Sequence, residues 1–130
     1  MDYKTYNSIA LAFLGDAVYE RFIRERILRH GSVGADKMHR EAVRYVKAAA
    51  QEQSLRVLAD VLTETEADVV RRASNHKITS KPKNADPVTY KMATAFEALL
   101  GYLYLAGETE RLEAVMEQAA ETVEAQEHHG

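Results

Sequence analysis

The chain has 130 residues, of which 46% are hydrophobic and 28% charged, and its net charge is −3. This length suits one domain, and this composition is ordinary for a globular protein. The absence of cysteine excludes a disulfide framework and a thiolate zinc site. Neither a signal-peptide pattern nor a membrane-spanning apolar run is present, so a cytoplasmic location is the expectation.

Helical patterns cover the chain, and no strand alternation competes with them. The first helix is predicted to begin near Thr5–Ser8, where Thr5, Asn7 and Ser8 can each cap it, and to run to about His30, where Gly31 ends it. Its inward face is expected to comprise Ile9, Phe13, Val18, Phe22 and Ile23. Gly15 costs this helix roughly 1 kcal/mol relative to alanine, so we expect another backbone to approach closely there.

Further helices follow in chain order. A second is predicted over Asp36–Tyr45 with Met38, Ala42, Val43 and Val46 inward, and Lys47–Gln51 either continues it or begins a third. Thr63 and Glu66 have capping-box spacing, so the next helix is predicted from there to about Ser74, burying Ala67, Val70 and Ala73. Asn75–Ala85 is a polar, basic loop.

The last two helices have clear boundaries. Asp86 and Pro87 form an N-cap and a first helical residue, and the central helix is predicted to run to Ala106 before Gly107. A final amphipathic helix is expected from Glu108 to about Ala125. We therefore predict one domain over residues 1–126 and a flexible C-terminal tail over residues 127–130.

Two acidic residues lie in apolar surroundings. Glu97 lies within the apolar segment Met92–Leu105, and Asp16 lies within Ala10–Val18. An unpaired buried carboxylate costs several kcal/mol, so each requires a cation, a metal ion or a water-filled groove. Carboxylates suit Mg²⁺, which needs few protein ligands when a phosphate supplies others. A shared metal site and two structural ion pairs are both compatible with this pattern.

Basic residues are concentrated between Arg71 and Lys91, where only Asp86 is acidic. Such a region can follow the phosphates of a nucleic acid, although a solvated basic loop is the equal alternative. The candidate RNA-binding residues are Arg71, Arg72, Lys77, Lys81 and Lys83. The loop contains no arginine fork or aromatic stacking set, so sequence-specific recognition of bases is not expected.

Two motifs resemble those of a known family. Phe13–Val18 (FLGDAV) resembles the signature of the ribonuclease III catalytic domain, and Phe96–Leu105 (FEALLGYLYL) resembles its second acidic motif. The segments LAFLGDAVYERFIRE, VRRASN and PKNADPVTYKMATAFEALLGYLYLAG are more similar to the Mini-ribonuclease III family. The likeness extends from Ile9 to about Glu113.

The resemblance implies an all-α, single-domain ribonuclease III endonuclease fold that forms a homodimer. It implies Mg²⁺-dependent cleavage of double-stranded RNA, with 5′-phosphate and 3′-hydroxyl ends, in the maturation of 23S ribosomal RNA precursors. We expect the catalytic domain itself to grip the RNA, because the chain has no room for the double-stranded-RNA-binding domain of larger relatives.

The resemblance also assigns site residues. Asp16 and Glu97 are expected to bind Mg²⁺ and to be catalytic. Ile9, Ala12 and Thr94 occupy positions where the larger enzymes carry acids, which leaves the number of metal ions open. Thr94 lies one turn before Glu97 and could reach the ion through water. Glu20 could assist beside Asp16, although an ion pair with Arg24 is the simpler interpretation.

Two other functions remain open at this point. The missing acids are compatible with a non-catalytic module of the same fold that binds structured RNA. A purely structural helical dimer, with both acids in ion pairs, is the third hypothesis. Metal-dependent cleavage of a duplex distinguishes the enzyme from both.

Overall fold

A computed structural model describes residues 2–31, 33–76 and 83–129, with side chains described through residue 126. Over these ranges the chain is helical and contains no strand, as predicted. The α helices are α1 (Ser8–Arg29), α2 (Ala35–Val46), α3 (Ala48–Leu58), α4 (Glu64–Ser74), α5 (Pro87–Leu105) and α6 (Thr109–His129). Short 3-10 helices lie at Tyr3–Thr5 and Ala59–Val61. None of the described helices combines the length and apolar character needed to cross a membrane.

The helix boundaries follow from local capping. The Asn7 side chain accepts a hydrogen bond from the Ile9 amide at the start of α1. Thr63 and Glu66 form both bonds of the predicted capping box before α4. Asp86 caps α5, and Pro87 is its first residue.

The extended backbone of Lys47 separates α2 from α3. The segment that begins at Lys47 therefore starts a third helix and does not continue the second. At the end of α5, Gly107 has a φ of +73°. This left-handed conformation favours glycine and turns the chain into α6.

Helix α5 is the centre of the molecule and contacts α1, α3, α4 and α6. Its side chains at Ala95, Phe96, Leu99 and Leu100 are completely buried. The ring of Tyr19 from α1 meets Phe96 edge to face, with 5.0 Å between the centroids. Glu97 therefore projects from the most buried helix, which is why its surroundings are apolar.

Helices α1 and α5 cross in direct backbone contact. A Cβ atom at Gly15 would lie 1.7 Å from the Glu97 carbonyl oxygen, and one at Gly101 would lie 2.0 Å from the Leu11 carbonyl oxygen. Only glycine permits this approach, because any side chain would force the helices apart. The close approach predicted at Gly15 is thus confirmed, and its partner is the backbone of the other acidic residue.

The predicted inward face of α1 is partly wrong. Phe22 and Ile23 are buried, but Phe13 is 83% exposed and Ile9 is 45% exposed. The glycine crossing sets the rotation of the helix so that Leu11 and Gly15 face α5. Phe13 is two residues from either, about 200° around the helix axis, and therefore points away.

Two other predicted core residues are also exposed. Val43 of α2 is exposed, and α4 buries Glu66, Val69 and Ala73 in place of the expected Ala67. Glu66 can occupy this buried stripe because Arg111 of α6 binds it with two 2.8 Å hydrogen bonds. Apolar periodicity alone assigns such a glutamate to the surface. The first two residues of the buried stripe therefore lie one position before the predicted ones, whereas Ala73 is buried as predicted.

The C-terminal helix runs farther than predicted and is helical through His129. Its middle is tied to α1 by Arg26, which donates hydrogen bonds to Glu117 and Glu124. The Tyr45 hydroxyl of α2 donates to Glu124 as well. Gly130 lies outside the described residues, and the flexibility of residues 127–130 stays a prediction.

Candidate active site

The fold brings the two isolated acids together. Asp16 follows Gly15 on α1, and Glu97 supplies the carbonyl against which Gly15 packs. Their carboxyl groups lie within hydrogen-bonding reach of each other. Glu97 is partly buried, whereas Asp16 is exposed. The pair thus forms one acidic site with Asp16 at the surface and Glu97 deeper in the fold.

The electrostatics of this site disfavour two negative charges. Burial, together with the adjacent Asp16 carboxylate, raises the pKa of Glu97 from an ordinary 4.5 to about 8. Glu97 is therefore protonated near neutral pH unless a cation lies between the two carboxyl groups. The arrangement has the charge and the oxygen donors that a hard divalent cation requires.

Gln51 is a site residue that the sequence analysis missed. It lies on α3, is 3% exposed, and donates from its side-chain amide to Oε2 of Glu97 over 3.4 Å. This bond favours the ionised form of Glu97 and fixes one of its oxygens. A signal was present, since Gln51 is a polar residue on the same helical stripe as the buried Leu55 and Leu58.

Two further residues were candidates near the site. Glu20 forms the predicted i,i+4 ion pair with Arg24, at 3.2 Å, yet its charge also raises the pKa of Glu97. Thr94 is partly buried, and its hydroxyl donates to the Tyr90 carbonyl over 2.9 Å. Their direct participation stays a prediction.

The residues present fit a Mg²⁺ ion. Within the described part of the chain, no group of three or more histidine, cysteine, aspartate and glutamate side chains could enclose a metal. Two carboxylates nevertheless suffice for Mg²⁺, because this ion retains several waters and accepts further oxygens from a phosphate substrate. The departures at Ile9, Ala12 and Thr94 are consistent with this small ligand set.

The candidate RNA-binding residues separate into two groups. Arg71 and Arg72 lie exposed at the end of α4, and Asp68 binds both guanidinium groups. Lys83 lies exposed in the turn before α5. Lys77 and Lys81 lie outside the described residues. The arginines and Lys83 thus mark the two described ends of the basic loop.

Residues 9–108 match the Ribonuclease III domain family. This range contains both acids and the glycine crossing between them. A Mini-ribonuclease 3 of Symbiobacterium thermophilum is 52% identical over 120 residues, covering 92% of each chain. The chain belongs to the Mini-ribonuclease III family. The family identifies it as an endoribonuclease, and the all-α fold predicted from the resemblance is confirmed.

A second relative and a solved structure are similar over most of their length. The Mini-ribonuclease 3 of Streptococcus pneumoniae is 42% identical over 126 residues, which cover 95% of this chain and 98% of that protein. A crystal structure of a Fusobacterium nucleatum protein superimposes with a TM-score of 0.80 at 29% identity. The match covers 89% of this chain and 93% of that one.

Proposed function

We propose that this Mini-ribonuclease III is a Mg²⁺-dependent endonuclease that cleaves double-stranded RNA and matures 23S ribosomal RNA precursors in the cytoplasm. The contact between the carboxyl groups of Asp16 and Glu97 carries this proposal. Both acids come from the family motifs, they lie about 80 residues apart in the chain, and they meet at an opening to solvent. Their mutual contact favours a shared cation over two separate structural ion pairs.

Asp16 and Glu97 would hold the ion, and Gln51 would keep the Glu97 carboxylate ionised and oriented. When bound, Mg²⁺ supplies positive charge that stabilises the phosphodiester as it is cleaved and makes water a better nucleophile. The exposed Asp16 would be accessible to an approaching duplex. Hydrolysis there leaves a 5′-phosphate and a 3′-hydroxyl.

We also propose that the basic region formed by the end of α4 and the following loop binds the duplex backbone. The residues concerned are Arg71, Arg72, Lys77, Lys81 and Lys83. Arg71 and Arg72 present guanidinium groups at the surface although Asp68 pairs with both. Phosphate contacts of this kind are independent of sequence and salt-dependent, so replacing Lys81 and Lys83 by alanine should reduce the salt slope of binding by about 2. Lys37→Ala, at an exposed position on α2, is the matched control.

The central experiment incubates the protein with precursor ribosomal RNA and with a generic duplex, in Mg²⁺ and in a chelator. Cleavage is expected in Mg²⁺ alone. Asp16→Asn and Glu97→Gln should each lower the cleavage rate about 100-fold or more, because each removes one of two anionic ligands. Full activity of Asp16→Asn contradicts the mechanism. Duplex binding without any metal-dependent cleavage selects the non-catalytic RNA-binding alternative.

An exposed apolar patch on α1 supports the proposed homodimer. Phe13 is 83% exposed, and an adjacent cavity of about 330 Å³ is lined by Leu14, Ala17, Val18, Phe22 and other residues of α1, α5 and α6. A protruding side chain next to a cavity makes a surface that is complementary to a second copy of itself across a two-fold axis. Phe13 of each protomer can therefore enter the cavity of the other. An aromatic side chain this exposed otherwise has an unfavourable solvation free energy.

Sedimentation of Phe13→Glu tests this assembly. The variant is expected to be a folded monomer at concentrations where the wild type is dimeric. Val33→Glu, also at an exposed apolar position, is the control and should remain dimeric. Equal sedimentation of the wild type and Phe13→Glu contradicts the proposed interface.

A further inference from the structure

A second concave surface lies at the N-terminal end of α1, where residues 3–8 meet the C-terminal end of α4. We call it the tyrosine pocket, defined by Tyr3, Lys4, Tyr6, Arg71 and Arg72. Its volume is about 400 Å³. Among the described residues, its lining contains the cations Lys4, Arg71 and Arg72 and no carboxylate. The surface therefore attracts anions, although the whole chain carries a net charge of −3.

The cations of the tyrosine pocket are fixed by contacts with Tyr3 and Asp68. The Tyr3 ring lies 5.9 Å from the Arg72 guanidinium carbon and 6.0 Å from Lys4 Nζ, within cation–π range. The Tyr3 hydroxyl donates to Asp68 over 2.6 Å, and Asp68 also binds both arginines. Asp68 does not line the pocket itself, but it lines an adjacent cavity with Glu64 and the same three cations. It therefore orders the guanidinium groups and offsets part of their charge, while Lys4, within the described part of the chain, forms no ion pair with it.

The pocket also offers surface to a flat apolar group. Tyr6 is 46% exposed beside it, and the buried side chains of Leu11 and Val69 form part of its lining. An exposed aromatic ring next to fixed cations is the arrangement that binds an unpaired nucleotide, with its base on the ring and its phosphate on the cations. Bases inside a duplex are already stacked and cannot reach such a ring.

The position relative to the acidic site connects the pocket to the substrate. Ser8 lines the pocket and Asp16 lies eight residues along the same helix, which is about 12 Å along its axis. We infer that the tyrosine pocket binds a nucleotide of single-stranded RNA that flanks the duplex to be cleaved. This inference rests on the proposed cleavage of double-stranded RNA and adds a preference for substrates with an unpaired extension.

Binding of two probes tests this inference. One is a blunt-ended RNA duplex, and the other is the same duplex with short single-stranded extensions, prepared separately at the 5′ and 3′ ends. The wild type is expected to bind one extended duplex about tenfold more tightly than the blunt one. Tyr6→Ala and Lys4→Gln should each remove most of this advantage and leave binding and cleavage of the blunt duplex near the wild-type level.

Two controls separate stacking and local charge from general effects. Tyr6→Phe retains the ring and should retain the advantage of the extended duplex. Lys37→Gln removes a positive charge from α2, away from the pocket, and should also retain it. Equal binding of blunt and extended duplexes by the wild type overturns the inference, and so does an advantage that survives Tyr6→Ala. Failure of the wild type to cleave any duplex instead contradicts the proposed function.

Discussion

Gly15 lies against the backbone of Glu97, and this contact places the two acidic side chains of the site next to each other. A Cβ atom at position 15 would fall 1.7 Å from the Glu97 carbonyl oxygen. The helix backbones cannot move apart to accommodate this atom, because α1 and α5 form the most closely packed part of the molecule. The spacing between α1 and α5 is therefore a condition for the site as well as for the core.

Replacing Gly15 by alanine should destabilise the protein and abolish cleavage. The methyl group must separate the two helices, and we expect the free energy of unfolding to fall by about 3 kcal/mol. Urea denaturation measures this loss. Gly34→Ala is the matched control, because its Cβ would meet only the Lys37 Cβ at 3.8 Å. That variant should lose only about 0.5 kcal/mol, from a less favourable N-cap residue; equal losses contradict the crossing.

Glu97→Gln should change how stability depends on pH. The pKa of Glu97 is raised from 4.5 to about 8, so between these values the folded state binds more protons than the unfolded state. The free energy of unfolding of the metal-free protein therefore falls as the pH rises through this window. Glutamine removes this contribution, and we expect the variant to be more stable than the wild type by about 2 kcal/mol near the upper end of the window.

Urea denaturation at about pH 5 and about pH 8, in a chelator, measures this difference. Glu121→Gln, which alters an exposed carboxyl group on α6 outside the acidic site, is the control. If the free energy of unfolding depends on pH in the same way in Glu97→Gln and in the wild type, the pKa of Glu97 is not raised.

Gln51→Leu should alter the metal requirement more than the fold. Leucine fills a similar volume in the buried face of α3 but cannot donate to Oε2 of Glu97. The Mg²⁺ concentration for half-maximal cleavage is expected to rise about tenfold, while duplex binding in a chelator stays unchanged. Ser54 lies on the same helix as Gln51 and donates a buried hydrogen bond to the Ala119 carbonyl of α6, so Ser54→Ala should lower stability without changing the Mg²⁺ requirement. An unchanged requirement in Gln51→Leu removes the positioning role.

Arg111→Leu should be strongly destabilising. Glu66 is 3% exposed, and although burial opposes its ionisation, hydrogen bonds from Arg111 and Thr63 hold its pKa below the ordinary value. Such a group stabilises the fold above its unfolded-state pKa, and this contribution is lost as the pH falls. Removing the arginine leaves a buried charge without its cation, with an expected loss of about 3 kcal/mol at neutral pH.

The double variant Glu66→Leu with Arg111→Leu separates the ion pair from simple packing. It should recover much of the stability lost in Arg111→Leu, because no buried charge remains. A double variant no more stable than the single one would mean that Arg111 acts through its bond to the Val61 carbonyl.

Local chemistry allowed much of this fold to be predicted from the sequence. The caps at Thr63 and Asp86 depend on residues within one turn, and the glycine at position 15 has a conformational cost that itself indicates a close approach. The two charges in apolar segments indicated that Asp16 and Glu97 need partners, with a shared site as one of two possibilities. In each case a local conflict in the sequence indicates that a particular residue needs a special contact.

Other features depend on how distant elements meet, and the sequence does not contain them locally. Hydrophobicity assigned Phe13 to the core, but the rotation of α1 is set by a contact with α5. The basic loop seemed to lack aromatic partners because Tyr3 and Tyr6 lie far from Arg72 in the chain. Gln51 was overlooked because a glutamine has no obligatory partner until Glu97 is placed beside it.

Phe13 and Asp16 are three residues apart on one continuous helix, about 4.5 Å along its axis. A rigid rod of this kind transmits any restraint on the aromatic ring directly to the carboxylate. In the proposed dimer, where Phe13 enters the second copy, Asp16 would lose freedom that a single chain retains. Catalytic activity would then depend on protein concentration, and dilution alone would lower it before any chain unfolds.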